Sequence, residues 1–310
     1  MPFAASHAAA QSHVTRLIVG FAAGGAADTI ARQLAAHYKP DSGVVLVENR
    51  PGAGGRLAVE AVRTAPADAR TLLVTPGSIL TIYPFVYPRL TYDPLKDLVP
   101  VTTLCSVPYA ITVGPMVPAS VQSLKDFAAW CLANPGQAAY GSPGAGTTPH
   151  FIGGMFAKES GLASYMHVPY RGGALAIQDV MGGQIASSVN VVSEVVSAAQ
   201  AGKVRVLAVS SAQRLPQLPA VETFAQAGFA PLQSSEWFGL LAPARTAPAL
   251  VAALSRDAGQ AYADPKVRKA MQEMAFSIDA ATPQAFAQRL RQDLERWGPI
   301  VKSTGFRIEE

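Results

Sequence analysis

The chain has 310 residues, 49% of them hydrophobic and 15% charged, which excludes a disordered polar chain and allows a large core divided between two lobes. Lys and Arg total 25 against 21 Asp and Glu; the +4 excess is scattered without a basic stripe, so nucleic-acid binding is not expected. No apolar run reaches the roughly 18 to 20 residues that a membrane-spanning helix needs.

The chain opens with "MPFAASHAAAQSH". Ala8, Ala9 and Ala10 before Gln11 resemble the small-residue end of an export signal, although a positive start and a full apolar stretch are missing. Residues 1–13 are therefore expected to be a leader or the remnant of a signal peptide. Strand-like runs "TRLIVGF", "GVVLVEN" and "RTLLVTP" then alternate with helical patterns such as "DTIARQLAAHY" and "RLAVEAVRTA". This βαβα order predicts a parallel sheet with helices on both faces. At the first strand-to-helix junction, Phe21–Asp28 reads "FAAGGAAD", with two adjacent glycines and no charge before Asp28. Such a junction is either a plain tight turn or bare backbone offered to a ligand. Asp28 is expected to cap a helix starting at Thr29. The Gly-rich "ENRPGAGG" that follows is expected to be a structural turn.

The rhythm restarts after Pro108 with "YAITVGP" and "SLKDFAAWCLANPG", and a second Gly-rich junction follows, "AAYGSPGAGTTPHF". Here Thr147 or Thr148 is the expected N-cap, with Pro149 in the first helical turn. Cys105 and Cys131 lack metal-type spacing and are expected to be buried free thiols, with a single disulfide as the alternative. The tail turns helical, and Thr282 and Pro283 open its last helix.

Free N–H groups and the helix dipole suit an anion such as a carboxylate or phosphate, and two junctions, one per half, could clamp a ligand from both sides. Other motifs fail on spelling. A Walker loop needs Lys after Gly146, the nucleophile elbow needs Gly where Tyr140 stands, and Ala23 and Ala26 break the Rossmann spacing. His150 and His167 are expected to be structural, and Asn190 either caps a helix or faces an inter-lobe cleft. No ligand set for zinc or calcium is spelled, so no cofactor is expected. Spelling alone leaves a ligand-free turn as open as an anion site.

In sequence order the chain carries "RLIVGFAAGGAADTIAR", "VVLVENRPGAGG", "LTYDPLKDLVPVT", "YGSPGAGTTPHF", "HVPYRGGALAIQDVMGGQI", "AGKVRVLAVSSAQRLPQLPAVETFAQAGF" and "EWFGLLAPA". Through these motifs, from about Arg16 to Phe306, it resembles the Bug family of extracytoplasmic solute-binding proteins that serve tripartite tricarboxylate transporters. The resemblance implies a type II periplasmic-binding-protein fold, two α/β lobes joined by two crossing strands with the ligand cleft between them. The crossings would fall near Val107–Tyr109 and Glu236–Gly239. Lobe one would take residues 14–107 plus 239–310, and lobe two residues 108–238.

The resemblance further implies a periplasmic, non-catalytic, monomeric protein whose partners are a small organic carboxylate and membrane transporter subunits. The carboxylate would be held by backbone amides of the two Gly-rich loops and by bridging waters. On lobe one the implied contacts are Phe21, Ala23, Gly24, Gly25, Asp28 and Ser78. On lobe two they are Ser142, Gly144, Gly146, Thr147, His150, Tyr170 and Asn190. Where the family commonly has "PFPPGGPTD", this chain has "GFAAGGAAD", so both loop prolines are alanines and the first jaw is less pre-organised. The family's frequent Asp after the lobe-two strand is Asn190, which points to a ligand without an amino group. Glu194 and Tyr170 are candidates to tune the far end of the cleft. Two alternatives remain: a sensor for a signalling partner, and an enzyme using Ser142 with His150.

Overall fold

The computed structural model describes residues 13–38 and 43–308, so the expected leader lies outside the described residues except for His13, which starts the first strand. The first half runs β1 (His13–Val19), α1 (Ala26–His37), β2 (Gly43–Asn49), α2 (Arg56–Arg63) and β3 (Thr71–Pro76). Two short helices, α3 (Ser78–Thr81) and α4 (Tyr83–Val86), lead to the long strand β4 (Leu98–Val113). The middle of the chain holds α5 (Leu124–Ala133), β5 (Ala139–Ser142), α6 (Thr148–Glu159), β6 (Met166–Pro169), α7 (Gly173–Met181) and β7 (Ser187–Val191). It continues with α8 (Val192–Gln200), β8 (Arg205–Val209) and β9 (Glu222–Thr223). The chain then returns through β10 (Ser235–Pro243) and finishes with α9 (Pro248–Ala263), α10 (Pro265–Glu273), β11 (Ser277–Ile278) and α11 (Pro283–Thr304).

The main path of the sheet runs β2-β1-β3-β10-β4-β7-β5-β6. β1 pairs in parallel with β2 and β3, and β5 pairs in parallel with β6 and β7, as the βα alternation predicts. The sheet as a whole is mixed, however. β10 runs antiparallel to β3 and β4, and β4 runs antiparallel to β7 and β8. A strand that leaves one lobe and another that returns must point in opposite directions, and neighbouring apolar runs do not record that.

β4 is the structural pivot. Its 16 residues are almost all buried. From Leu98 to Pro108 it pairs with β10, and from Tyr109 to Val113 it pairs with β7. The handover between partners falls at Pro108, which has no N–H to give to a ladder. β3 and β7 are buried nearly throughout, which fits strands covered on both faces.

Helix starts differ in how they are capped. α5 carries a complete capping box, with the Ser123 side chain accepting from Asp126 N–H and the Asp126 carboxylate accepting from Ser123 N–H. Asp264 caps α10, and Thr282 caps α11 as its sequence predicts. α1, α6, α7 and α8 start with no side-chain cap, which leaves first-turn N–H groups to find other acceptors. Those four helices surround the space between the lobes. Cys105 and Cys131 are both buried free thiols. Among the described residues, no helix is long and apolar enough to cross a membrane.

Candidate functional site

The cleft between the lobes leaves about 450 Å³ free of protein atoms, part of it open to solvent. Lobe one supplies Phe21, Gly25, Ala26, Ala27 and Ser78, and lobe two supplies Pro143, Thr147, Pro149, Gly173 and Glu194. The crossing strands form its floor through Tyr109, Glu236 and Phe238. Most of this wall is apolar, so the few polar groups decide what fits.

The first jaw is built by Asp28. α1 begins at Ala26 with Gly25 in the N-cap position, so Asp28 lies in the first turn and is not the cap expected from sequence. Gly25 adopts the extended cap geometry (φ −81°, ψ 176°) and moves the helix start forward. The buried Asp28 carboxylate instead accepts from Gly24 N–H (2.9 Å), Arg32 Nε (2.8 Å) and Asn49 Nδ2 (2.9 Å). Burial pushes this carboxyl's pKa up, but those hydrogen bonds and the Arg32 charge outweigh it and hold the pKa below the usual value. Asp28 thus fixes the loop without lining the cavity. Gly24 has φ +85°, a conformation that glycine adopts without strain.

The second jaw is held differently. Thr147 occupies the N-cap of α6, but its hydroxyl turns back to donate to the Gly144 carbonyl (2.7 Å) and leaves the helix start uncapped. Gly146 N–H donates to His150 Nδ1 (3.1 Å), so that nitrogen is an acceptor and the ring carries its proton on Nε2. The His150 ring stacks on His167 at 4.0 Å, and His167 Nε2 is hydrogen-bonded to the Ser142 hydroxyl (2.7 Å). Burial lowers the pKa of His150 to about 4. Burial and then repulsion from His150 lower that of His167 to about 3. Both rings are neutral near pH 7. Ser142 is paired with His167, not with His150, and such depressed values leave neither ring suited to act as a general base at neutral pH.

The jaws meet across the cleft. Ala22 N–H donates to the Arg171 carbonyl (3.2 Å), and Ala26 N–H donates to Glu194 Oε1 (3.0 Å). At the other seam, the His150 ring packs edge-on against Phe306 at 4.5 Å. Gly146 sits so close to Val86 that an added Cβ would lie 2.9 Å from its side chain.

Several sequence-predicted residues support the site from behind its wall. Asn190 is fully buried on β7 and is not a cap, because α8 takes Val191 as its N-cap. Its Nδ2 donates to Glu194 Oε2 at 2.6 Å. The Tyr170 hydroxyl donates to Asp179 (2.7 Å), and its ring covers Gly141. Ala23, Gly24, Ser142, Gly144, Gly146 and His150 shape the loops, while Phe21, Gly25, Ser78 and Thr147 reach the cavity.

Sequence reasoning missed Tyr109 and Glu236. The Tyr109 hydroxyl donates to Glu236 Oε2 (2.8 Å). Burial raises the Glu236 pKa to about 7, against partial relief from Tyr109, Ser78 and the Gly77 amide. The available signal was one acidic residue opening the apolar run "EWFGLLAP", on a strand placed at the crossing.

The family model described as "Tripartite tricarboxylate transporter family receptor" matches residues 30–306. The chain belongs to this family. It is 31% identical to Protein BugT of Bordetella pertussis, over 95% of this chain and 90% of that one. A solved periplasmic transporter superposes with a TM-score of 0.90 at 34% identity, covering 97% of this chain and all (100%) of the other. MatC of Rhodopseudomonas palustris with bound malate gives 0.86 at 27% identity, covering 93% and 98%. An R. palustris protein with adipate gives 0.89 at 27%, covering 94% and 97%. With periplasmic binding protein BugD the TM-score is 0.89 at 27% identity, covering 96% and 99%, and this chain is a solute-binding protein of the same family with the same two-lobed fold, not an enzyme.

Proposed function

We propose that the protein captures a small organic carboxylate between its lobes and delivers it to the membrane subunits of a tripartite tricarboxylate transporter. The observation that carries this reading is the uncapped start of α6, where Thr147 and Pro149 line the cavity and, among the described residues, no side chain accepts from the N–H of Thr148 or His150. A ligand carboxylate placed there would meet those donors and the positive end of the helix. Gly144 and Gly146 set the loop, with His150 and Ser142 fixing it from beneath. The neighbours that hold malate and adipate support the same ligand class.

The lobes divide at the handover in β4, with residues 14–107 plus 239–310 forming one and 108–238 the other. The protein works as a monomer in the periplasm, without nucleic acid. Closure on a ligand is a hinge motion about β4 and β10.

The test is a thermal-shift panel of mono-, di- and tricarboxylates, aromatic acids and amino acids on protein stripped of ligand by unfolding and dialysis. A ligand at a hundred times its Kd should stabilise the fold by about 2.7 kcal/mol. X-ray scattering on the best hit should show a smaller radius of gyration. A panel with no carboxylate hit, or a hit without contraction, would sink the reading.

A further inference from the structure

Glu194 stands at the centre of the cleft, and its surroundings are unusually specific. The side chain leaves α8 of lobe two and reaches the start of α1 in lobe one, where Oε1 accepts from Ala26 N–H at 3.0 Å. Oε2 accepts from Asn190 Nδ2 at 2.6 Å. The start of α7 closes over the same carboxylate, and an added Cβ on Gly173 would lie 1.7 Å from Oε2. Only a glycine leaves room for the carboxylate there. The carboxylate therefore fills a cradle made by two helix starts, one from each lobe.

That placement has two chemical consequences. First, the anion-binding capacity of the first jaw is already used by a group of the chain itself, so a ligand carboxylate has the second jaw to bind. Second, the cleft is short of donors. A carboxylate has about four acceptor positions, and Glu194 receives two donors, Ala26 N–H and Asn190 Nδ2. Asn190 is fully buried, and its Oδ1 has no hydrogen-bond partner. The other ionised-type side chain on the wall is Glu236, again an acceptor, and no Lys, Arg or His lines the cavity among the described residues. Neighbouring acceptors without a cation are costly in an apolar site unless a ligand supplies donors.

We propose that Glu194 is the specificity-determining residue of the cleft and selects carboxylates that also bear an ammonium group, which donates to Glu194 while the carboxylate sits at the start of α6. This rests on the carboxylate reading above. An ammonium brings three donors and a positive charge, matching the open acceptor positions on Glu194, which lines the cavity. The neutral Asn190, taken alone, pointed to a ligand without an amino group. The charge that Asn190 lacks is supplied by Glu194, four residues further on in the first turn of α8.

The experiment uses matched probes on the full chain after removal of bound ligand: succinate against aspartate, glutarate against glutamate, and 1,4-diaminobutane as an amine without a carboxylate. Kd is measured by calorimetry for the wild type and for Glu194→Gln, which keeps the side chain's shape. The wild type should bind one amino acid at least about tenfold more tightly than its amine-free partner, as expected for a charge-assisted hydrogen bond. In Glu194→Gln that preference should collapse to within about twofold. If Glu194→Gln does not fold, the wild-type preference alone decides. Equal or tighter binding of the amine-free acids by the wild type would overturn the proposal and leave the carboxylate reading intact. So would an unchanged preference in Glu194→Gln. Binding of the diamine with no acid bound would overturn the carboxylate reading and the proposal with it. No binding by any probe overturns the proposal.

Discussion

At the first Gly-rich junction, Ala26 N–H already meets a carboxylate from the opposite lobe, and Asp28 and Asn49 tie the loop behind it. At the second, Thr147 folds its hydroxyl onto the loop, two neutral histidines support it, and the start of α6 faces the cavity without an acceptor. The two junctions share a strand–glycine–helix plan and differ in electrostatics. The first is acidic and occupied; the second is neutral and open. The difference means that an uncapped helix start keeps its donors available only when no other part of the fold reaches them.

The largest expected effect comes from breaking the platform under the second jaw. An added Cβ at Gly153 would lie 2.1 Å from the Tyr140 ring, which is itself buried and stacked on Tyr165. Gly153→Ala should cost about 1–3 kcal/mol by overpacking, and it should weaken carboxylate binding. Gly154→Ala, beside it but facing open space, should be neutral or slightly stabilising. Equal melting temperatures for the two variants would contradict this assignment.

Next comes the support of the first jaw. Asp28→Ala removes the acceptor shared by Gly24, Arg32 and Asn49. The expected loss is about 1–3 kcal/mol, from losing three hydrogen bonds to one buried charged acceptor. Chemical denaturation would measure it, and a change under ~0.5 kcal/mol would mean that the glycine loop holds itself.

The smallest effect separates the junctions by pH. His150 and His167 have folded pKa values of about 4 and about 3, below the unfolded value near 6.5. The unfolded chain thus binds more protons below pH 6.5, so these groups make stability fall with acid until about pH 3. Glu194 has the opposite sign: burial raises its pKa, with partial relief from Asn190 and the Ala26 amide, so its contribution to stability falls as pH rises from the unfolded value towards the folded one. Melting curves from pH 7 to 4 should be flatter for His150→Gln than for the wild type. A slope unchanged by that substitution would show that the histidine pair does not control the acid response.

The strands, the helices of the tail, the Thr282 cap and both Gly-rich junctions were legible in the sequence because each depends on local periodicity or on residues a few positions apart. The motif order was specific enough to indicate the family, and with it the two-lobed fold. The start of α1 was misplaced, because a Gly N-cap carries no side-chain signature and Asp28 has the composition of a cap. What the sequence could not decide was which groups converge. Glu194 and Ala26 are 168 positions apart, and Tyr109 and Glu236 are 127 apart. The antiparallel crossing of β4 and β10, the pairing of Ser142 with His167 and the filling of the first jaw are all products of long-range closure. Local propensity fixes the elements. Only the tertiary arrangement decides which buried acceptor meets which donor, because that depends on distances that no window of sequence contains.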